Sequence, residues 1–326
     1  MSRYLVTGAT GFIGAEIVKQ LVGRGHRVSA LVRTLDRTAM LRALGVDLHV
    51  GDITDAASLR PAMEGVDGVF HLAAWYRLGP RSPVAERVNV EGTRLVLEAM
   101  RDAGVPKGVY ASTLSVLGDT GGVLADERFV RRSPFLSEYE RTKWKAHHEV
   151  ALPMARAGLP LVIAMPGAVY GPGDTSGIHD LIVRLLQKRL PMVPRGTAFC
   201  WGYIEDTARG FVQAMEAGRP GEAYVIAGPV HPLDEALRLA ARIAGVRPPV
   251  VNPPPISMRI AAGLAGAAER IGLRLPYSAE ALRLMSGVTW IASSAKAARE
   301  LGFRARPLEE GWGPTIEHEK RRLGLS

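Results

Sequence analysis

A single cysteine, Cys200, stands among 326 residues. An intramolecular disulfide is excluded, and a reducing, cytoplasmic setting is expected. Lysine is scarce as well, 7 residues against 34 arginines. Sustained runs of one charge are missing: the net charge of +9 is scattered, with Arg128, Arg131 and Arg132 beside Asp126 and Glu127. The basic balance therefore reads as solubility, and no nucleic-acid partner is expected. Long apolar runs are missing too. Leu159–Tyr170 is too short to span a bilayer, and Ile256–Leu275 is interrupted by Arg259, Glu269, Arg270 and Arg274, so no membrane span is expected. The apolar run Tyr4–Val6 leads straight into glycines, so no signal peptide is expected. His179 and the pair His147-His148 have no metal-ligand spacing with carboxylates or with Cys200, and no metal is expected.

What remains is ordinary globular material, 47% apolar and 22% charged, enough for one large or two unequal domains. Strand-like and helix-like segments alternate, which predicts an α/β fold built on a parallel sheet. Strands are predicted at Tyr4–Val6, Arg27–Val32, Val46–Val50, Gly68–Leu72, Gly108–Ser112 and Leu159–Met165. Helical segments fall near 12–22, 36–44, 55–64, 84–103 and 138–157. After Pro166 glycine and proline become dense and helices dominate. The boundary is placed there: a nucleotide-binding Rossmann domain over 1–166 and a smaller, mostly helical substrate domain over 167–326. Arg247–Pro255, with five prolines, reads as an extended linker before a helix of small residues.

Three motifs carry chemistry. The first is Thr7-Gly8-Ala9-Thr10-Gly11-Phe12-Ile13-Gly14, between a predicted strand and a predicted helix. Its glycines permit a tight turn, close approach to a pyrophosphate and close helix packing. The second strand ends in Arg33, with no acid before Asp36, which favours NADP(H) over NAD(H). Asp52, followed by Ile53 after the third strand, is a candidate for the adenine amino group; helix capping by Asp52 or Asp55 is the alternative. The second motif is Tyr139-Glu140-Arg141-Thr142-Lys143, which puts a phenol and an ammonium on one helix face. A tyrosine base working near neutrality needs roughly 4 kcal/mol of preferential phenolate stabilisation, which Lys143 and a cationic ring are candidates to supply. The third, Ser112-Thr113-Leu114-Ser115, sits at the carboxyl end of the fifth strand, where open parallel sheets bind ligands. Capping of the loop is the competing role for Ser112 and Ser115.

Together these motifs resemble the extended short-chain dehydrogenase/reductase superfamily, also called the NAD-dependent epimerase/dehydratase family. His71-Leu72-Ala73-Ala74 is similar to its cofactor-lining stretch, and Asn89-Val90-Glu91-Gly92-Thr93 to its N-x-x-G-T helix. Pro166-Gly167-Ala168-Val169-Tyr170 matches the segment passing the nicotinamide, and Tyr203–Ala208 the V-H-x-D-D-x-A segment, so residues near 203–217 are expected back in the Rossmann domain. The resemblance implies Tyr139 as general acid/base, Lys143 on the nicotinamide ribose, and Thr113 as the active-site hydroxyl, with Ser112 the neighbour if the register slips by one. It also implies a homodimer paired through the helices near 84–103 and 138–157. Phe70–Tyr76 and Arg33 resemble the dihydroflavonol-reductase-like branch, including hopanoid-associated members that bear the name of sugar epimerases. Nucleotide-sugar epimerases usually carry an arginine where this chain has Phe199, and often an asparagine within Pro166-Gly167-Ala168. The substrate is therefore expected to be an apolar carbonyl or alcohol, held by Trp75, Tyr76, Ser115, Tyr170, Phe199 and Trp201, with Leu117 nearby. The rival readings are a sugar epimerase or dehydratase retaining its NAD, and a nucleotide-sensing module without turnover.

Overall fold

A computed structural model of the chain describes residues 1–76, 82–270, 272, 273, 275 and 278–325. The first six strands are β1 (Arg3–Thr7), β2 (Arg27–Val32), β3 (Asp47–Val50), β4 (Gly68–His71), β5 (Gly108–Ala111) and β6 (Leu161–Pro166). Then come β7 (Ala168–Tyr170), β8 (Ala198–Tyr203), β9 (Ala223–Ile226), β10 (Val230–Pro232) and β11 (Thr289–Trp290). Seven of them form one sheet in the order β3-β2-β1-β4-β5-β6-β9, every pair parallel. This is a Rossmann-type α/β fold. Its strand order reverses beside β1, which opens the ligand crevice at the carboxyl ends of β1 and β4.

Both faces of the sheet are covered, so its strands read as near-continuous apolar runs. Alternation sorts their side chains. Tyr4, Val6, Val109 and Ala111 meet the helices Phe12–Gly23 and Ile204–Ala217. Leu5, Tyr110 and Ile163 point the other way, into a core shared with helix Gly92–Asp102 and the turn Ala146–Ala151. The two helices expected as continuous over 84–103 and 138–157 each contain a wider π-helical stretch, Arg87–Glu91 and Ala146–Ala151.

The segment after β6 holds more strand than its periodicity suggests. β8 pairs with β10 on one edge and with β7 and β11 on the other, around a third core cluster that includes Tyr170, Trp201, Leu237 and Trp312. β9 pairs with β6 in the large sheet, and helix Ile204–Ala217 packs on Phe12–Gly23. Helix Pro255–Arg270 buries only Ala262 and Ala265, so it is not the tightly packed element its small residues suggest. Among the described residues no helix is long and apolar enough to cross a membrane.

Candidate active site

At the carboxyl end of β1 the chain turns through Gly8, whose φ of +76° suits glycine. A Cβ on Gly8 would sit 2.7 Å from the Ala73 nitrogen, and one on Gly14 would sit 2.2 Å from the Gly8 oxygen. These glycines therefore let backbone approach backbone, leaving a shallow cradle. Helix Phe12–Gly23 opens above it with no side-chain cap at Gly11 and no acid in its first turn. Uncapped N–H groups at the positive end of the helix dipole fit a diphosphate. Gly8, Gly11, Phe12, Ile13 and Gly14 line one end of a cavity of about 500 Å³.

The cavity continues past Leu72 and Ala74, along Pro166, Gly167, Ala168 and Val169, to the helix Glu138–Lys145. Ser137 caps that helix by accepting from the Glu140 nitrogen at 3.0 Å, and the Glu140 carboxylate takes the Leu136 nitrogen at 2.6 Å. The cap sets the phase that turns Tyr139 and Lys143 to one side, where both line the cavity. Burial, with Tyr76 beside it, pushes the Tyr139 phenol above its ordinary value, while a hydrogen bond with Thr113 works in the opposite direction. Tyr139 is thus a protonated acid in the protein alone.

Lys143 is buried, and burial pushes its pKa down to about 7. Its Nζ donates to the Tyr110 hydroxyl at 2.9 Å and to the Ala111 oxygen at 2.7 Å. The hydrogen bonds of the Lys143 ammonium thus run to the sheet, while Tyr139 and Lys143 both line the cavity. Tyr110 was not anticipated. The one signal for it is position, since alternation along β5 sends residue 110 to the face on which the Tyr139 helix packs.

Behind Tyr110 lies a buried polar chain. The Thr93 hydroxyl donates to the Asn89 oxygen at 2.7 Å, so at 3.1 Å from His71 Nε2 it accepts. His71 Nδ1 then accepts from the Thr7 hydroxyl at 2.8 Å, and Thr7 takes the Ala73 nitrogen at 3.3 Å. This pattern assigns the His71 tautomer. The ring stays neutral, since burial and then Lys143 hold its pKa at about 3. His71 also stacks on Tyr110, with ring centroids 5.6 Å apart.

The hydroxyl-bearing segment after β5 divides its work. Ser112 Oγ lies 2.7 Å from His147 Nδ1 in the interior, whereas Thr113 faces Tyr139 and also receives the Ser115 nitrogen at 3.2 Å. Ser112 and Thr113 both line the cavity. Ser115 also lines the cavity.

Several expected positions lie elsewhere. Asn89 does not face the cavity: its side chain accepts from the Trp75 nitrogen and donates to the Trp75 oxygen and Thr142 Oγ1. It brackets the loop after β4 to the Tyr139 helix, and Trp75 is held by that bracket without lining the cavity. Tyr170 and Trp201 are core residues 1% exposed; Trp201 Nε1 donates to the His231 oxygen, and the two rings pack edge to face. Leu117 is core as well. These large side chains lie on elements packed from both sides, and aromatic character alone does not distinguish wall from core. Of the expected substrate wall, Tyr76, Ser115 and Phe199 remain on the cavity, joined by Ile178, Leu181, Leu284, Met285 and Trp290.

At the far sheet edge Arg33 is exposed just after β2, and Thr10 is exposed on the glycine turn. Asp52 Oδ1 accepts from the nitrogen and hydroxyl of Thr54, which closes a turn, while Asp55 caps the helix Ala56–Met63. Ile53 is buried, its side chain pressed against Gly92. Ala73 meets the glycine turn through its backbone. No cluster of three metal-ligating side chains occurs among the described residues.

A doubly wound sheet, a glycine cradle under an uncapped helix and a facing Tyr-x-x-x-Lys pair define an NAD(P)-dependent enzyme of the extended short-chain dehydrogenase/reductase type. The chain belongs to the NAD dependent epimerase/dehydratase family, whose model matches residues 4–227. It is 33% identical over 308 residues, 92% of each chain, to the sterol demethylase protein B of Methylococcus capsulatus. Over 314 residues, 93% of this chain and 92% of the other, it is 33% identical to the 4-hydroxy-2-methyl-3-oxo-4-farnesyl-3,4-dihydroquinoline-1-oxide ketoreductase of Stigmatella aurantiaca. Among solved structures it resembles gox2253, with a TM-score of 0.87 and 32% identity over the whole of both chains.

Proposed function

We propose that this chain is an NADP(H)-dependent oxidoreductase that interconverts a ketone or aldehyde with a secondary or primary alcohol on an apolar molecule of moderate size. NAD(H) is the alternative cofactor. The observation that carries the reading is the convergence of Tyr139 and Thr113 on a cavity of about 500 Å³ whose wall includes Ile178, Leu181, Phe199, Leu284, Met285 and Trp290, beside the polar stretch Asp174, Thr175 and Ser176. Phe199 stacks on Trp290 with centroids 5.5 Å apart and planes 5° off parallel. A flat apolar wall thus occupies the place where nucleotide-sugar enzymes offer a cation to a diphosphate. The two relatives named above are called after a sterol and a farnesylated ketone, which supports an apolar substrate.

The cofactor would lie from the cradle at Gly8, Gly11 and Gly14 toward Pro166–Val169, with Arg33 meeting a 2′-phosphate and Lys143 the nicotinamide ribose. When bound, the nicotinamide supplies or accepts the hydride. In the reducing direction the phenol of Tyr139, held protonated by burial, donates its proton to the substrate oxygen. Thr113 holds that oxygen by a hydrogen bond, in place before charge develops. The apolar wall excludes water and strengthens both interactions. Tyr76, packed edge to face on Tyr139 with centroids 4.8 Å apart, covers the acid from the solvent side. A homodimer through the helices at 83–102 and 138–156 completes the reading.

The test is turnover of a panel of cyclic and isoprenoid ketones, followed by loss of reduced nicotinamide. The wild-type protein is expected to consume NADPH stoichiometrically. Tyr139→Phe should lose roughly 10²-fold or more in kcat while keeping its thermal shift with NADP. Tightly retained NAD that is never consumed would replace this reading with sugar epimerisation. Cofactor binding with no turnover anywhere on the panel would leave a nucleotide sensor.

A further inference from the structure

Away from the cavity, the most exposed apolar ridge of the described residues lies on helix Pro255–Arg270. Ile256, Ile260 and Leu264 are 60%, 59% and 68% exposed, and their four-residue spacing sets them on one stripe. Val250 and Val251, just before the helix, are exposed as well. A helix that buries only two alanines against the protein, and turns three large aliphatic side chains outward, is not completed by its own fold.

Its charges have a pattern. Between Val246 and Arg270 the chain carries Arg247, Arg259 and Arg270 against one acid, Glu269. At about 100° per residue, Arg259 and Arg270 border the same edge of the aliphatic stripe. Glu269, exposed on the opposite side of the helix from that stripe, accepts the Ala279 nitrogen at 2.8 Å at the start of the next helix, Ala279–Leu284. The outward face is therefore aliphatic with a cationic border. An isologous contact with a second copy would set this border against itself without a carboxylate to answer it.

The ridge is also connected to the cavity. Helix Pro255–Arg270 packs on helix Ala279–Leu284, whose end, Leu284 and Met285, lines the cavity. The Glu280 carboxylate accepts the Glu138 nitrogen at 3.2 Å, at the start of the helix bearing Tyr139 and Lys143.

We propose that this face seats on a lipid bilayer bearing anionic headgroups. Ile256, Ile260 and Leu264 enter the headgroup–acyl boundary, and Arg259 and Arg270 lie among the phosphates, with the helix parallel to the surface. The chain is then a monotopic surface protein rather than a spanning one. Seating there brings the Leu284–Met285 wall close to the acyl phase, where an apolar ketone or alcohol concentrates. Only this last consequence rests on the function proposed above; the docking itself does not.

The experiment is co-sedimentation of the full chain with large vesicles of phosphatidylcholine alone or with about a third phosphatidylglycerol, at low and high salt. Neither cofactor nor turnover enters it, so its failure is separable from failure of the redox reading. The wild-type chain should pellet with the anionic vesicles and be released by salt. Ile260→Glu/Leu264→Glu should lower partitioning by roughly tenfold or more. Arg259→Gln/Arg270→Gln, which keeps the aliphatic ridge, should remove the preference for anionic over neutral vesicles. Both variants should retain the wild-type circular dichroism and melting temperature. Wild-type protein that stays in the supernatant with every vesicle overturns the proposal, as does binding that both double variants leave unchanged. A dimer in sedimentation velocity that Ile260→Glu/Leu264→Glu converts to monomer also overturns it, assigning the ridge to a second copy.

Discussion

Lys143 Nζ lies 2.9 Å from the hydroxyl of Tyr110, a phenol on β5, and so the ammonium is oriented from the sheet and not from its own helix. Two tyrosines with opposite duties flank the cation: Tyr110 orients the amine, and Tyr139 faces the cavity. Burial pushes both phenols above their ordinary value, so Tyr110 remains a neutral partner for the ammonium.

Tyr110→Phe keeps the ring stacked on His71 and removes only the oxygen. Losing one hydrogen bond to a charged group costs on the order of 1.5 kcal/mol, so kcat/KM should fall about tenfold. Because Tyr110 acts through Lys143, the KM for the cofactor and the pH profile of kcat should both move, with the melting temperature nearly unchanged. Identical pH profiles for variant and wild type would leave Tyr110 a packing residue.

Lys143 titrates near 7 in the folded chain, well below its usual range, so the unfolded chain binds more protons between about pH 7 and 10. Stability from this site therefore rises with pH across that window, and the burial penalty is fully present below pH 7. Lys143→Met removes the titration. Its melting temperature relative to wild type should be highest near pH 6 and fall steadily toward pH 10. A difference that is flat with pH contradicts the buried amine.

His71 and His147 both titrate at about 3, held down first by burial. Each contributes stability that is present above its unfolded value of about 6.5 and is lost as the pH falls toward 3. Acid unfolding should therefore begin below about pH 6, and His71→Gln should flatten that limb in a denaturant titration. A limb equally steep in the variant assigns the acid lability elsewhere.

Asn89→Ala strips a bracket made of three hydrogen bonds, leaving the Trp75 peptide and Thr142 without their partner. The cost should be about 2–3 kcal/mol, a fall of roughly 3–5 °C in the melting temperature for a chain of this length. Asn89→Asp should recover less than half, since it restores the acceptor and not the donor. Calorimetry of the three proteins decides the matter.

Arg33→Asp reverses the charge at the tip of β2. The KM for NADPH should rise about tenfold or more, and that for NADH should hold or fall. Equal effects on the two cofactors would separate Arg33 from any 2′-phosphate.

The strands, the glycine turn and the Tyr139–Lys143 pair are legible from order and spacing because each is a local pattern, tied to the period of one element. Asn89 shows the limit. It occupies a recognisable N-x-x-G-T helix, yet a π-helical stretch and two partners 14 and 53 residues away turn its amide into a bracket. Aromatic character alone points Trp201 and Tyr170 to the substrate wall. Only the packing of β7 and β8 against Trp312 shows that they are interior.

The order of residues was sufficient by itself for a nucleotide-binding α/β chain with an acid and an amine one helical turn apart, since helix geometry guarantees that pairing wherever the helix forms. What the amine touches, which serine or threonine faces the acid, and which walls enclose the substrate were decided in three dimensions. Those contacts join β5 to Glu138–Lys145 and bring Leu284, Met285 and Trp290 from the distant end of the chain. No local period encodes such distances; they arise when separate apolar faces are buried together.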